Sequence, residues 1–67
     1  MISLIVNGAK YSFAKTVTPA ELIDYFELTG KKIALERNGS VIPRSQFSNR
    51  LFQELDRIEI ITAVGGG

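Results

Sequence analysis

Two Asn-Gly pairs constrain the fold of this chain more than any other feature of its sequence. Asn7-Gly8 follows the apolar run 2–6, and Asn38-Gly39 follows the strand-like run 33–37. Asn-Gly is typical of the tight turn between two antiparallel strands, because both residues tolerate the positive φ that this turn needs. Residues 10–13 then alternate polar and aromatic, and a short apolar run begins at Val41. Each pair therefore predicts a turn between two strands.

One helix signal lies between these turns. Thr18 can cap a helix, Pro19 suits its first position, and Glu21 stands three residues after the cap. Apolar residues then recur at helical spacing and predict one stripe that faces a core, formed by Pro19, Leu22, Ile23 and Phe26. We expect the helix to end at Gly30, where a left-handed residue is needed.

The second half of the chain predicts two more strands and a helical turn. A short strand at 41–42 should end at Pro43 or lie at a sheet edge, because proline cannot donate a ladder hydrogen bond. The mixed segment 45–55 predicts a short helical turn, pinned to the core by Phe47, Leu51 and Phe52. Residues 58–63 form the most apolar strand of the set.

The order of elements is strand, strand, helix, strand, strand, strand. This order predicts an α+β fold with one main helix on one face of a mixed sheet of four to five strands. The apolar last strand belongs in the sheet centre, and beside the first strand it would run parallel to it. That is the β-grasp arrangement, of which ubiquitin is the familiar case. We expect a domain at residues 1–64 and a flexible glycine tail at 65–67.

Composition excludes several classes of function. The 67 residues contain no cysteine and no histidine, which removes disulfides, thiolate metal sites, zinc fingers and Ser-His or Cys-His nucleophile pairs. Eight basic and seven acidic residues are interleaved, unlike the clustered positive charge of a nucleic-acid-binding surface. Apolar runs are too short for a membrane span or a signal peptide, so we expect a cytoplasmic protein with no membrane partner.

The chain end is chemically unusual. Gly65, Gly66 and Gly67 directly follow the strand-like run 58–64. Glycine has no β-carbon, so such a segment can enter a channel too narrow for other residues and can present a free α-carboxylate there. A frayed terminus or a residue left from purification would look the same, and the tail alone does not decide between them.

The sequence resembles the ThiS family, the sulfur-carrier proteins of thiamine biosynthesis. The resemblance spans essentially the whole chain, and Ile42-Pro43-Arg44 together with the terminal Gly-Gly is its most specific part. The other segments that carry it are Asn7-Gly8, Thr16-Val17, Glu21-Leu22-Ile23, 33–39 and 56–60. Three features depart from the family: Phe47 replaces a frequent tryptophan, Leu55 replaces a common glycine, and Gly67 lengthens the Gly-Gly end.

The resemblance implies a mechanism in which this chain is a co-substrate and not an enzyme. A ThiF-type adenylyltransferase would hold ATP and magnesium and adenylate the carboxylate of Gly67, or that of Gly66 if Gly67 is an appended residue. A persulfide donor would then supply sulfur, and the resulting thiocarboxylate would pass it to thiazole synthase, ThiG. The chain itself would bind no cofactor and no metal, and it has neither a Gly-x-x-x-x-Gly-Lys-Ser/Thr loop nor a carboxylate cluster for magnesium.

A partner surface is expected on the sheet face opposite the helix. If Leu4, Val6, Ile58 and Ile60 face the helix, alternation turns Ile5, Ile61 and Ala63 outward, with Ile5 and Ile61 as neighbours. An exposed apolar patch of that kind often marks a docking site, although loops or a dimer contact would cover it equally well. Arg44 is a candidate contact for an acidic partner, or is simply solvated. The tail itself, Ala63, Val64, Gly65, Gly66 and Gly67, would be bound by the partner.

Three other functions remain open from sequence. The small subunit of molybdopterin synthase is also a sulfur carrier with a Gly-Gly end, but it lacks a segment like Ile42-Pro43-Arg44. A ubiquitin-like modifier would use the same activation step and end in an isopeptide bond. A non-catalytic interaction module would have an inert tail. A stand-alone enzyme is the least supported, because no acid-base pair is recognisable.

Overall fold

The computed structural model describes residues 1–62, and within them the chain forms one five-stranded mixed sheet covered by one α-helix. In chain order the elements are β1 (Ile2–Val6), β2 (Ala9–Phe13), α1 (Pro19–Tyr25), β3 (Ile33–Arg37), β4 (Ser40–Val41), a 3-10 turn (Arg44–Gln46) and β5 (Arg57–Thr62). The strand order is β2-β1-β5-β3-β4, with β1 and β5 parallel and the other pairs antiparallel. The β-grasp prediction, with the last strand in the centre, is confirmed.

Both Asn-Gly turns form as predicted. Asn7 and Gly8 have φ of 50° and 85°, and Asn38 and Gly39 have φ of 51° and 88°. Positive φ at both central residues is the signature of a type I′ hairpin turn, whose twist matches that of the strands. The register agrees, since Val6 pairs with Ala9.

The core lies between the sheet and α1. Strand alternation buries every second residue of β1, and Leu4 and Val6 face the helix together with Ile58 of β5, as predicted. Ile60 is only half-buried at the edge of this cluster. The buried apolar residues are Ile2, Leu4, Val6, Leu22, Ile23, Ile33, Leu35, Ile42, Phe52 and Ile58. Phe26 and Phe47 pack against them from the rim.

Helix α1 begins at the predicted capping box. The Glu21 N–H donates to the Thr18 hydroxyl at 3.1 Å, and the Thr18 N–H donates to the Glu21 carboxylate at 2.7 Å. These two bonds satisfy backbone donors that the first turn of a helix otherwise leaves unpaired. At 7 residues the helix is short, and among the described residues no helix is long and apolar enough to cross a bilayer.

The predicted helix end at Gly30 is wrong. α1 ends at Tyr25, and Glu27, with φ of 59°, takes the left-handed position. The Glu27 N–H donates to the Asp24 carbonyl and the Leu28 N–H to the Ile23 carbonyl, both at 2.9 Å, which is the Schellman pattern. Gly30 instead provides positive φ in the following turn.

The segment between β4 and β5 also differs in part from expectation. The predicted helical turn exists, as the 3-10 turn that begins at Arg44, and β4 lies one residue earlier than predicted. Phe52 is buried as expected, but Leu51 is 55% exposed, so its assignment to the core is wrong. The Phe52 N–H donates to the Val17 carbonyl at 3.2 Å, which ties this part of the segment to the chain just before α1.

Asp56 fixes the start of β5. Its carboxylate is buried and accepts hydrogen bonds from the Arg37 Nε at 2.7 Å, the Gln53 N–H at 2.8 Å and the Asn38 amide at 3.1 Å. Burial by itself raises the pKa of Asp56, but these donors and the Arg37 charge outweigh it and hold the pKa below its ordinary value. Asp56 therefore ties the loop before β5 to the turn after β3.

Candidate functional site

The candidate site is the end of β5 and the surface around it. β5 lies in the sheet centre, between β1 and β3, and Thr62 is its last residue. The predicted tail residues, Ala63, Val64, Gly65, Gly66 and Gly67, lie outside the described residues. The structure therefore shows the strand that leads to the tail and what holds it.

β5 is held unequally on its two sides as it approaches Thr62. On one side β3 pairs with it along its length, up to the pair Ile33–Thr62. On the other side the paired residues of β1 end at Val6, which lies opposite Ile58, because the chain turns away at Asn7. The last residues of β5 thus have a backbone partner on only one side within the described part of the chain.

The side chain of Asn7 occupies the vacant side. Its Oδ1 accepts from the Ile60 N–H at 2.8 Å, and its Nδ2 donates to the Ile60 carbonyl at 3.4 Å. Sequence reasoning assigned Asn7 only to a turn and missed this contact. The sequence carries no signal for it, since the two residues are 53 positions apart.

Ile61 and Arg44, both predicted site residues, line one groove beside Thr62. The groove measures about 480 Å³ and lies across the ends of β3 and β5. Its lining combines four apolar or small residues with two cations: Ile33, Ala34, Ile61, Thr62, Lys32 and Arg44. Ile61 is 49% exposed, so it presents a large apolar side chain to solvent.

Arg44 is held at the groove by two contacts. Its guanidinium donates to the Ile33 carbonyl at 3.4 Å and stands 5.9 Å from the centre of the Phe47 ring. A cation at that distance over an aromatic ring is attracted to it. Arg44 itself remains exposed, so its charge is directed toward the groove and available to a ligand or a partner.

The predicted contact between Ile5 and Ile61 is wrong. Ile5 lies opposite Arg57, four residues before Ile61 on β5, which places the two isoleucines about 13 Å apart along the strand at 3.3 Å per residue. The outer face between them carries Arg57 and Glu59. Ile5 is half-buried and lies away from the groove, so the two residues do not form one apolar patch.

The outer face also places two like charges together. Glu36 of β3 lies directly opposite Glu59 of β5 in the antiparallel ladder. Like charges at directly opposite positions of a sheet repel each other. The middle of the outer face thus carries a pair of carboxylates. The groove at the end of β5, in contrast, is bordered by the cations Lys32 and Arg44.

Comparisons with known proteins agree on one family. The model of the ThiS family matches residues 4–67, which includes the three terminal glycines. A crystal structure of a thiamine biosynthesis protein (ThiS) from Geobacter metallireducens superposes with a TM-score of 0.81 at 26% identity, over 98% of this chain and 100% of that one. The uncharacterized protein ycf40 of Porphyra purpurea is 32% identical over 98% of this chain and 93% of its own length.

A further relative is much longer than this chain. The thiazole synthase of Paramagnetospirillum magneticum is 29% identical to it over 66 residues, which cover 98% of this chain but 20% of the enzyme. The family match, the superposition and the residue pattern all lead to the same assignment. The chain belongs to the ThiS family, the small sulfur carriers of thiamine biosynthesis.

Proposed function

We propose that Gly67 is the residue that carries the sulfur, as a C-terminal thiocarboxylate. The observation that carries this proposal is the family match through residue 67, together with the position of β5, the last described element before the tail, in the centre of the sheet. A match that includes the tail supports the view that the glycines belong to the functional unit. A carrier needs a compact body that partners recognise and an unhindered acyl group at its end.

The chemistry requires activation of the carboxylate by another protein. A carboxylate is a poor acyl donor because it is anionic and its oxygen is a poor leaving group. Attack of the Gly67 carboxylate on the α-phosphate of ATP releases pyrophosphate and forms an acyl-adenylate, whose AMP leaves readily. The terminal sulfur of a persulfide then displaces AMP, and a thiol cleaves the S–S bond, leaving the thiocarboxylate and a disulfide.

ATP and magnesium belong to the activating partner in this scheme. The sequence has no phosphate-binding Gly-x-x-x-x-Gly-Lys-Ser/Thr loop, so a ThiF-type adenylyltransferase would hold the nucleotide. The role of this chain is to deliver its end. Glycines suit that role because the absence of a β-carbon lets the backbone lie close to the nucleotide.

Thiazole synthase is the proposed acceptor of the sulfur. In Paramagnetospirillum magneticum, a segment similar to this chain makes up about a fifth of a protein named thiazole synthase. A carrier domain and an enzyme joined in one chain indicate that the two work side by side. We infer that this chain meets a separate ThiG-type enzyme in the same way.

The groove beside Thr62 is the proposed docking surface for the activating enzyme. Ile61 supplies an exposed apolar contact, and Lys32 and Arg44 favour a partner surface that carries carboxylates. Ile61→Glu should raise the KM of the carrier by about tenfold, the size of one lost apolar anchor. Val41→Glu is the matched control, because Val41 is 67% exposed on the same sheet but lies outside the groove.

The proposal is tested by the intact mass of the chain after incubation with a ThiF-type enzyme, ATP, magnesium and a persulfide donor. The expected result is a gain equal to the replacement of one oxygen by sulfur, confined to the last residue. A chain without Gly66 and Gly67 should show no gain. Covalent conjugates on a denaturing gel would instead show a protein modifier, and sulfur transfer only to a molybdopterin precursor would show the other carrier class.

A further inference from the structure

We propose that Asn7 is a positioning residue for sulfur loading: its side-chain amide replaces the missing end of β1 and fixes the direction of β5 toward the reacting carboxylate. This inference rests on the proposed function, and it concerns a residue far from the tail in sequence. Asn7 touches no reacting atom. It acts only through the backbone of Ile60.

The series of hydrogen bonds between β1 and β5 shows how the Asn7 side chain takes the place of β1 backbone groups. The Ile5 N–H donates to the Asp56 carbonyl at 3.0 Å, and the Asn7 N–H donates to the Ile58 carbonyl at 2.9 Å. The next groups of β5 in this series are those of Ile60, because alternate residues of a strand face the same neighbour. The backbone of β1 has already turned away, since Asn7 has φ of 50°.

The amide of Asn7 offers the same two groups as a peptide unit. Its oxygen accepts from the Ile60 N–H at 2.8 Å, which also fixes which way round the amide lies, and its nitrogen is 3.4 Å from the Ile60 carbonyl. A side chain thus continues the ladder by one step. It holds β5 on the side that faces β1, opposite the side paired with β3.

Seven residues follow Ile60 to the chain end. Fully extended, they span up to about 23 Å, so the position of Ile60 sets the limit of the points that the terminal carboxylate can reach. Misplacement of a reacting group by about 1 Å can lower a rate by about a hundredfold. Loss of the Asn7 contact should therefore lower the rate of adenylation more than it lowers binding of the folded body.

The chain contains a matched control in Asn38. This residue has nearly the same φ, is followed by a glycine, and also grips β5: the Arg57 N–H donates to its Oδ1 at 2.9 Å. Asn38 additionally donates to Asp56 at 3.1 Å. The two asparagines therefore brace opposite ends of the same strand, and only Asn7 braces the end that leads to the tail.

The test compares Asn7→Gly with Asn38→Gly. Glycine keeps the positive φ of the turn without strain, so both variants should fold. In Asn7→Gly the Ile60 amide should exchange with solvent about fivefold faster, as expected for one lost hydrogen bond. With a ThiF-type enzyme its kcat for ATP–pyrophosphate exchange should fall by about tenfold or more while KM stays within about twofold.

Asn38→Gly should lose at least as much thermal stability yet keep the wild-type kcat, because it leaves the end of β5 in place. Asn7→Asp retains an oxygen for the Ile60 N–H but turns a second oxygen toward the Ile60 carbonyl, so it should recover only part of the lost rate. An equal loss of kcat in both glycine variants, or an unchanged kcat in Asn7→Gly, would overturn the inference. If the wild-type chain is not activated at all, the proposed function fails. An unchanged rate of Ile60 amide exchange in Asn7→Gly would refute, independently of activity, the claim that the Asn7 side chain holds β5.

Discussion

Replacement of Asp56 by asparagine tests what holds β5 in place. The substitution keeps the size of the side chain but removes its charge and one acceptor oxygen. The Arg37 Nε and the Gln53 N–H share Oδ2, whereas the Asn38 amide donates to Oδ1. An asparagine must turn its NH₂ toward one of these two sites, so at least one buried donor faces another donor.

The expected loss in the free energy of unfolding is about 2–3 kcal/mol at neutral pH. One hydrogen bond to a charged group contributes roughly 1.5–3 kcal/mol, and the ion pair with Arg37 adds less than a fully buried pair would. That discount follows from the exposure of the Arg37 side chain, which is 20%, against 8% for Asp56. A domain of 67 residues has about 3–10 kcal/mol in total, so the loss is a large share of it.

The loss should depend on pH in a defined direction. The pKa of Asp56 in the folded chain lies below its ordinary value, so the unfolded chain takes up the proton first as the pH falls. The contribution of the carboxylate is therefore complete above about pH 4, the unfolded pKa, and is lost as the pH falls through the folded value. The wild type and Asp56→Asn should converge in stability below about pH 4.

Urea unfolding followed by circular dichroism at pH 7 and at a series of lower pH values measures this difference. Asp24→Asn is the control, because Asp24 is exposed and accepts one bond of 3.3 Å from the Thr29 hydroxyl; its effect should stay within about 0.5 kcal/mol. Equal stability of the wild type and Asp56→Asn at pH 7 would refute the reasoning. So would a difference between them that does not change with pH.

Three further perturbations have expected outcomes. Leu55 is 52% exposed and has φ of 63°, so glycine at this position should remove about 1 kcal/mol of left-handed strain. Leu55→Gly should therefore raise the melting temperature by a few degrees. Leu55→Ala keeps the strain and should not raise it. Glu59→Lys should stabilise the fold by about 0.5 kcal/mol in thermal unfolding by relieving repulsion from Glu36, and a gain that persists in high salt would contradict this cause. Gly66→Val should keep the melting temperature but slow adenylation severely; an unchanged rate would count against a narrow channel around the tail.

Signals that act between near neighbours were sufficient to predict most of the fold. Asn7-Gly8 and Asn38-Gly39 form type I′ turns, and Thr18 with Glu21 forms the capping box. These features depend on the backbone preferences of two to four adjacent residues, which the sequence displays directly. Alternation of apolar residues likewise identified the face of β1 that packs on the helix.

The predictions failed where distant residues decide the outcome. Ile5 and Ile61 are separated because the register of β1 and β5 depends on packing and hydrogen bonds between segments about 50 positions apart. The helix ends at Tyr25, before the predicted Gly30, because Glu27 takes the left-handed conformation and its N–H and that of Leu28 bond back to carbonyls of the last helical turn. Leu55, which replaces a glycine common in the family, also adopts the left-handed conformation, and its N–H donates to the Ser3 carbonyl at 2.7 Å.

The candidate site was predicted unevenly for the same reason. Ile61 and Arg44 were each predicted as site residues, and they line one groove beside the end of β5. Their proximity was not predicted from the sequence. The contact between Asn7 and Ile60 was missed, because nothing near Asn7 in sequence indicates it. The tail residues remain a prediction, since they lie outside the described part of the chain.

Transfer of labelled sulfur tests the central claim most directly. The chain would be prepared with isotopically labelled sulfur at Gly67 and incubated with a ThiG-type thiazole synthase and its other substrates. We expect the label to appear in the thiazole product while the mass of the chain returns to that of the carboxylate form. Label that stays on the chain while thiazole forms from another sulfur source would contradict the account.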